Sequence, residues 1–98
     1  MRAILQILEQ LDEEEHGVKE YVHCYSCYKM QDKELADLYL NLARAELDHY
    51  AKLHAQAERL IIAKRSKYLE VMDEMYQWQH ERGIAKLAEL KQLIDSCK

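Results

Sequence analysis

Glu46 and His49 stand three residues apart in the stretch Glu46-Leu47-Asp48-His49, and Glu14 occupies a comparable place in an earlier segment. Two carboxylates and one imidazole are donors suited to Fe, Mn or Zn, whereas Ca and Mg sites seldom use imidazole. On a helix of 100° per residue, Leu35, Leu42, Leu53 and Leu60 fall within about 40° of Glu46, Tyr39 and Ala57 about 20° away, and His49 about 60° away. The pair is therefore expected on the apolar, core-facing stripe of a long helix. A carboxylate buried without a partner costs several kcal/mol, and a metal ion is the most direct compensation.

Glu14 is selected by the same geometry. Ile7, Val18, Tyr21, Tyr25 and Tyr28 lie within about 40° of it, with Ile4 and Leu11 further round. Its neighbours Glu13 and Glu15 sit about 100° away on either side, so one of three consecutive glutamates points inward. Glu14, Glu46 and His49 are thus the candidate metal ligands. A hairpin that faces Glu14 towards Glu46 supplies only these three, but four-helix carboxylate-bridged dimetal proteins use a Glu from each of two helices and Glu-x-x-His from each of the other two. Two copies of the hairpin supply that set.

The elements that must position these residues are all helical. The chain of 98 residues has no Pro, no Phe and two Gly, the profile of long helices rather than of a sheet. It is read as one all-α domain: an antiparallel helical hairpin plus a third long helix. The first helix spans about residues 2–30, the second about 33–64 and the third about 67–97. Asp32 caps the second, Glu34 suits its first turn and Lys64 its last. Ser66 is the candidate N-cap of the third, where no Gly or Pro marks the break and the two helices could be continuous. The third stripe follows Leu69, Met72, Tyr76, His80, Gly83, Leu87, Leu90 and Ile94. Gly17 and Gly83 fall inside helices at a propensity cost of about 1 kcal/mol each, which a close helix approach would justify.

Composition narrows the function classes. A net charge of −4 with no basic run argues against nucleic-acid binding. No apolar run approaches the roughly 20 residues that cross a bilayer, and the N-terminus lacks the order of a secretion signal, so the chain is expected to be soluble and cytoplasmic. Three cysteines, with Cys24 and Cys27 on one helix turn, do not make a disulfide framework.

Other groupings compete for a chemical reading. Twelve Glu and five His in this chain give about 0.6 Glu-x-x-His matches by chance, so the motif alone is weak. Three occur, and Glu13-x-x-His16 and Glu20-x-x-His23 fall on the outward side, where solvation explains them better than a surface zinc. Cys24 and Cys27, beside His23, lie mid-helix rather than at the helix N-terminus that would activate a thiol, and read as packing. His80 is a core or interface histidine that could also reach His49. Tyr21, Tyr25, Tyr28 and Tyr39 are mainly buried aromatic area, with hydrogen bonding to ligands or electron carriage as the alternative.

The arrangement Glu14, Tyr21, Glu46-Leu47-Asp48-His49 resembles the ferritin-like superfamily of ferritins, rubrerythrins and encapsulated ferritins, over about the first 60 residues. In those families the helix-one glutamate and the Glu-x-x-His ligate iron, which the resemblance carries to Glu14, Glu46 and His49. The encapsulated ferritins build the di-iron site between two short subunits. A closer likeness, to small ferritin-like proteins of bacterial and prophage genomes, rests on Leu35-Ala36-Asp37, Glu46-x-x-His49, Leu53-His54 and Tyr76-Gln77-Trp78-Gln79-His80-Glu81. The chain departs from full-length ferritins in lacking a second inward Glu-x-x-His and a complete fourth helix. The resemblance thus implies a four-helix bundle completed by dimerisation, or by a multiple of dimers, with a shared iron site and ferroxidase chemistry. Two other readings stand beside it: a non-catalytic helical oligomer or adaptor that keeps the scaffold, and a bundle whose third helix offers Trp78, Met72 and Met75 to a protein partner.

Overall fold

The computed structural model describes residues 2–64 and 69–97, with residues 69–72 described by their backbone alone. Helix α1 spans Arg2–Tyr28, α2 spans Lys33–Lys64 and α3 spans Leu69–Asp95, and no strand occurs among the described residues. No helix among them is long and apolar enough to cross a membrane. The candidate cap at Ser66 lies outside the described residues, as does the expected start of α3 at residue 67.

Helix α1 ends two residues earlier than the pattern predicts. Lys29 and Met30 belong to the turn, in which the N–H groups of Gln31 and Asp32 both donate to the Tyr28 carbonyl at 2.9 and 2.8 Å. Asp32 then caps α2: its Oδ1 accepts from Leu35 N at 3.1 Å, and its carbonyl accepts the first helical bond from Ala36 N at 3.0 Å. The side-chain bond satisfies one of the donors that a helix start leaves open. So tight a turn makes α1 and α2 antiparallel, which brings Ile4, at the start of α1, against Ile61, near the end of α2.

The core follows one row on each helix. Leu11, Val18 and Val22 of α1 meet Leu40, Ala43 and Tyr50 of α2, and Leu90, Ile94 and Cys97 close the cluster from the C-terminal part of the chain. Ion pairs reinforce the docking of α3: Asp12 with Arg82 at 3.5 Å, Glu15 with Lys86 at 3.2 Å and Lys19 with Glu89 at 3.8 Å. Each partner lies about 70 residues on, so α3 runs parallel to α1 and antiparallel to α2. The result is a slender body of 55 × 20 × 13 Å.

The α3 stripe differs from expectation most at Gln79, which the expected row did not include. Gln79 is 1% exposed, beside buried Gly83, Leu90 and Ile94, whereas Tyr76, His80 and Leu87 are only half-buried. A hydropathy pattern assigns a glutamine to water. Here the side chain is enclosed with neither amide atom hydrogen-bonded. The side chains of Leu69 and Met72 are outside the described set; Met75 packs against Ile4 and Ile61, while Trp78 is exposed with the Arg82 guanidinium 5.2 Å from its ring centre.

Candidate metal centre

Glu14, from the middle of α1, meets Glu46 and His49, one turn apart on α2. One ligand atom from each lies within 4.8 Å of the other two. The hairpin accounts for this: residues 14 and 46 stand almost equally far from the turn at 29–32, so antiparallel helices bring them level.

Burial differs from the sequence expectation. The fully buried rows are Ile4, Leu11 and Val18 on α1 and Ala43, Tyr50, Ala57 and Ile61 on α2. Glu46 and its stripe mates Leu35, Tyr39, Leu42, Leu53 and Leu60 are half-buried, and the His49 side chain is 53% exposed. The reason is the side on which α3 docks. It pairs with Asp12, Glu15 and Lys19, and Glu14 points about 100° away from Glu15 round α1. The carboxylates therefore line a second face of the hairpin, which α3 does not cover.

Electrostatics there are unbalanced. Glu14 Oε2 is buried with no hydrogen-bond donor; His49 Nδ1, 3.6 Å away, is at ion-pair rather than hydrogen-bond distance. A carboxylate donates nothing, so Glu14 and Glu46 can bond each other only by sharing a proton. That shared hydrogen bond, then burial, then the Glu14 charge push the Glu46 carboxyl up to about 7, against the opposing influence of His49. Gly17 makes room: a Cβ there would lie 3.0 Å from Glu46 Oε2 and 3.3 Å from its Cδ. Two oxygens and one nitrogen, close together and short of positive charge, fit a divalent cation of the Fe, Mn or Zn class.

Beyond the carboxylates the same face carries tyrosines. Tyr39 stacks between Tyr21 and Tyr28 at centroid distances of 6.2 and 5.9 Å. Burial, with smaller contributions from Cys24, Tyr28 and Tyr21, pushes the Tyr39 hydroxyl up. Tyr21 and Tyr25 also pack against the core.

The remaining candidates separate cleanly. Glu13, His16, Glu20 and His23 are all exposed, as the outward reading requires, with His16 and Glu20 3.6 Å apart. Cys24, Cys27 and Cys97 are free thiols. His80 does not bond His49; its Nδ1 donates to Glu58 Oε1 at 2.7 Å. Glu58 and its α2 neighbour His54 escaped the sequence reading as a polar grouping. The signal was present: Tyr50, His54 and Ile61 lie on one helical row, so a histidine falls between two residues that prove buried.

The chain matches no family model, no curated protein and no solved structure in the comparisons made.

Proposed function

We propose that the chain is a ferritin-like, non-haem dimetal protein, with iron as the preferred metal and manganese or zinc as alternatives, whose site is shared between two copies. The observation that carries this reading is the meeting of Glu14, Glu46 and His49 within 4.8 Å on a half-covered face, with a buried Glu14 oxygen lacking any donor. One hairpin offers three donors. A second copy docked on that face would double them to two glutamates and two Glu-x-x-His pairs, and would cover Leu35, Tyr39, Leu42 and Leu53, which a single chain leaves half-buried.

Bound there, iron would supply ferroxidase chemistry, in which Fe(II) is the substrate and dioxygen accepts its electrons. The chain's own part is to hold the ions. Glu46, whose carboxyl is pushed up to about 7, would give up its proton on binding, and the two glutamates would present anionic oxygens, which favour the more highly charged oxidised ion. His49, exposed at the rim, would complete the set from the solvent side.

The raised Glu46 carboxyl also favours a second reading. Protonated, Glu46 would relieve the repulsion from Glu14 without metal, as in a non-catalytic helical oligomer that uses this face only for assembly. Anaerobic titration with Fe(II), counting bound metal, separates the two. Binding that Glu46→Ala abolishes supports the first; no binding by the wild type, or binding unchanged in Glu46→Ala, refutes it. Under the second reading, Glu46→Leu with His49→Leu leaves assembly intact or strengthens it.

A further inference from the structure

A second group of metal-ligating side chains lies between α2 and α3, apart from Glu14, Glu46 and His49. His80 Nδ1 is 2.7 Å from Glu58 Oε1, and His54 Nε2 is 3.2 Å from the same oxygen. His54 Nε2 is also 3.1 Å from the Gln79 carbonyl. Two imidazoles from two helices thus aim a nitrogen at one carboxylate oxygen. We propose that His54, Glu58 and His80 form a second divalent-metal site, of the zinc class, that clips α3 to α2.

The donor set is chemically suited. Two histidines and one glutamate, with a further position left for water, are ligands that zinc takes. Two nitrogens and one oxygen also differ from the two oxygens and one nitrogen of the first group, and imidazole-rich sets favour zinc while carboxylate-rich ones favour manganese and ferrous iron. The two sites would therefore discriminate between metals.

The group is built rather than accidental. His54 is 7% exposed, seated in a notch of α3 at Gly83, where a Cβ would fall 1.9 Å from its Nε2 and 2.1 Å from its Cδ2. That ring is a fixed donor. Glu58 and His80 are only partly buried, and Tyr76 stacks on the His80 ring at 5.6 Å. Without an ion the three donors do not all meet within the 4.8 Å of the first group, because the two ring nitrogens flank the Glu58 oxygen from different sides. Closing on an ion would fall to Glu58 and His80, which are only partly buried; each neutral ring would carry its proton on the nitrogen facing away from the metal, so His54 Nε2 would exchange its N–H contact with the Gln79 carbonyl for the ion.

The test removes the first group. In a Glu14→Ala, Glu46→Ala background, titration with Zn(II), followed by isothermal calorimetry and by the melting temperature, should show one equivalent bound per chain and a melting temperature that rises with zinc. Co(II) in its place should give the absorption bands of a nitrogen-ligated site. Adding His80→Ala, or separately Glu58→Gln, should weaken binding by ~10-fold or more and remove those bands, with circular dichroism as the check that these variants keep their helices. Absence of zinc binding in the background, or binding that neither variant alters, overturns the site and leaves only a hydrogen-bonded clasp. Because Glu14 and Glu46 are both missing from that background, the outcome is independent of the first site. A single Glu46→Gln background repeats the test should the double variant fold poorly.

Discussion

At the scale of single residues, Glu46 carries most of the consequence. Its carboxyl is pushed above the ordinary value of 4.5 to about 7 by the hydrogen bond with Glu14, by burial and by the Glu14 charge. A folded value above the unfolded one means that the stability from the shared proton is fully present below about pH 4.5 and is lost as pH rises through about 7. Metal-free wild type should thus melt lower at pH 8.5 than near pH 5, and Glu46→Gln, which cannot ionise, should reduce that difference by a few degrees in scanning calorimetry. Identical pH dependence in the two proteins would remove the shared proton. Gly17 gives a second test. Alanine there gains about 1 kcal/mol of helix propensity but sets a Cβ 3.0 Å from Glu46 Oε2, so Gly17→Ala should keep the fold while weakening metal binding about 10-fold, read by titration. The three ligand candidates were legible in the sequence because a 3.6-residue period fixes which residues share a helix face. The exposure of His49 was not, since a helical wheel does not say on which side the third helix docks.

At the scale of elements, the α1–α2 hairpin was readable from Asp32, whose capping bond to Leu35 N appears at 3.1 Å, and from the short polar turn. The seating of α3 was readable only in part. Gly83 stands on the expected stripe as a place of close approach, and the structure seats the His54 ring there; that His54 and Gln79 are the residues buried at this contact was not readable, because hydropathy gives two polar residues no weight. The notch at Gly83 makes a sharp prediction. Gly83→Ala places a methyl where the His54 ring lies and should destabilise by about 2–3 kcal/mol in urea unfolding. In a His54→Ala background the same substitution should cost much less, because the two sites are in contact and cannot be additive. Equal costs in both backgrounds would show that the ring does not occupy the notch.

For the whole molecule, three helices form a slender body of 55 × 20 × 13 Å with α3 on one side of the hairpin and the carboxylate face on another. That face holds half-buried leucines and stacked tyrosines around Glu14, Glu46 and His49, which is why a second copy is the proposed partner and why metal and assembly should be linked. Sequence alone reached this pairing by counting ligands, since one chain has too few. Native mass spectrometry of protein loaded anaerobically with Fe(II) and freed of excess metal examines that link directly. The result predicted is a dimer carrying two irons, with Glu46→Ala free of iron; monomers without iron, or iron retained equally by Glu46→Ala, would contradict it.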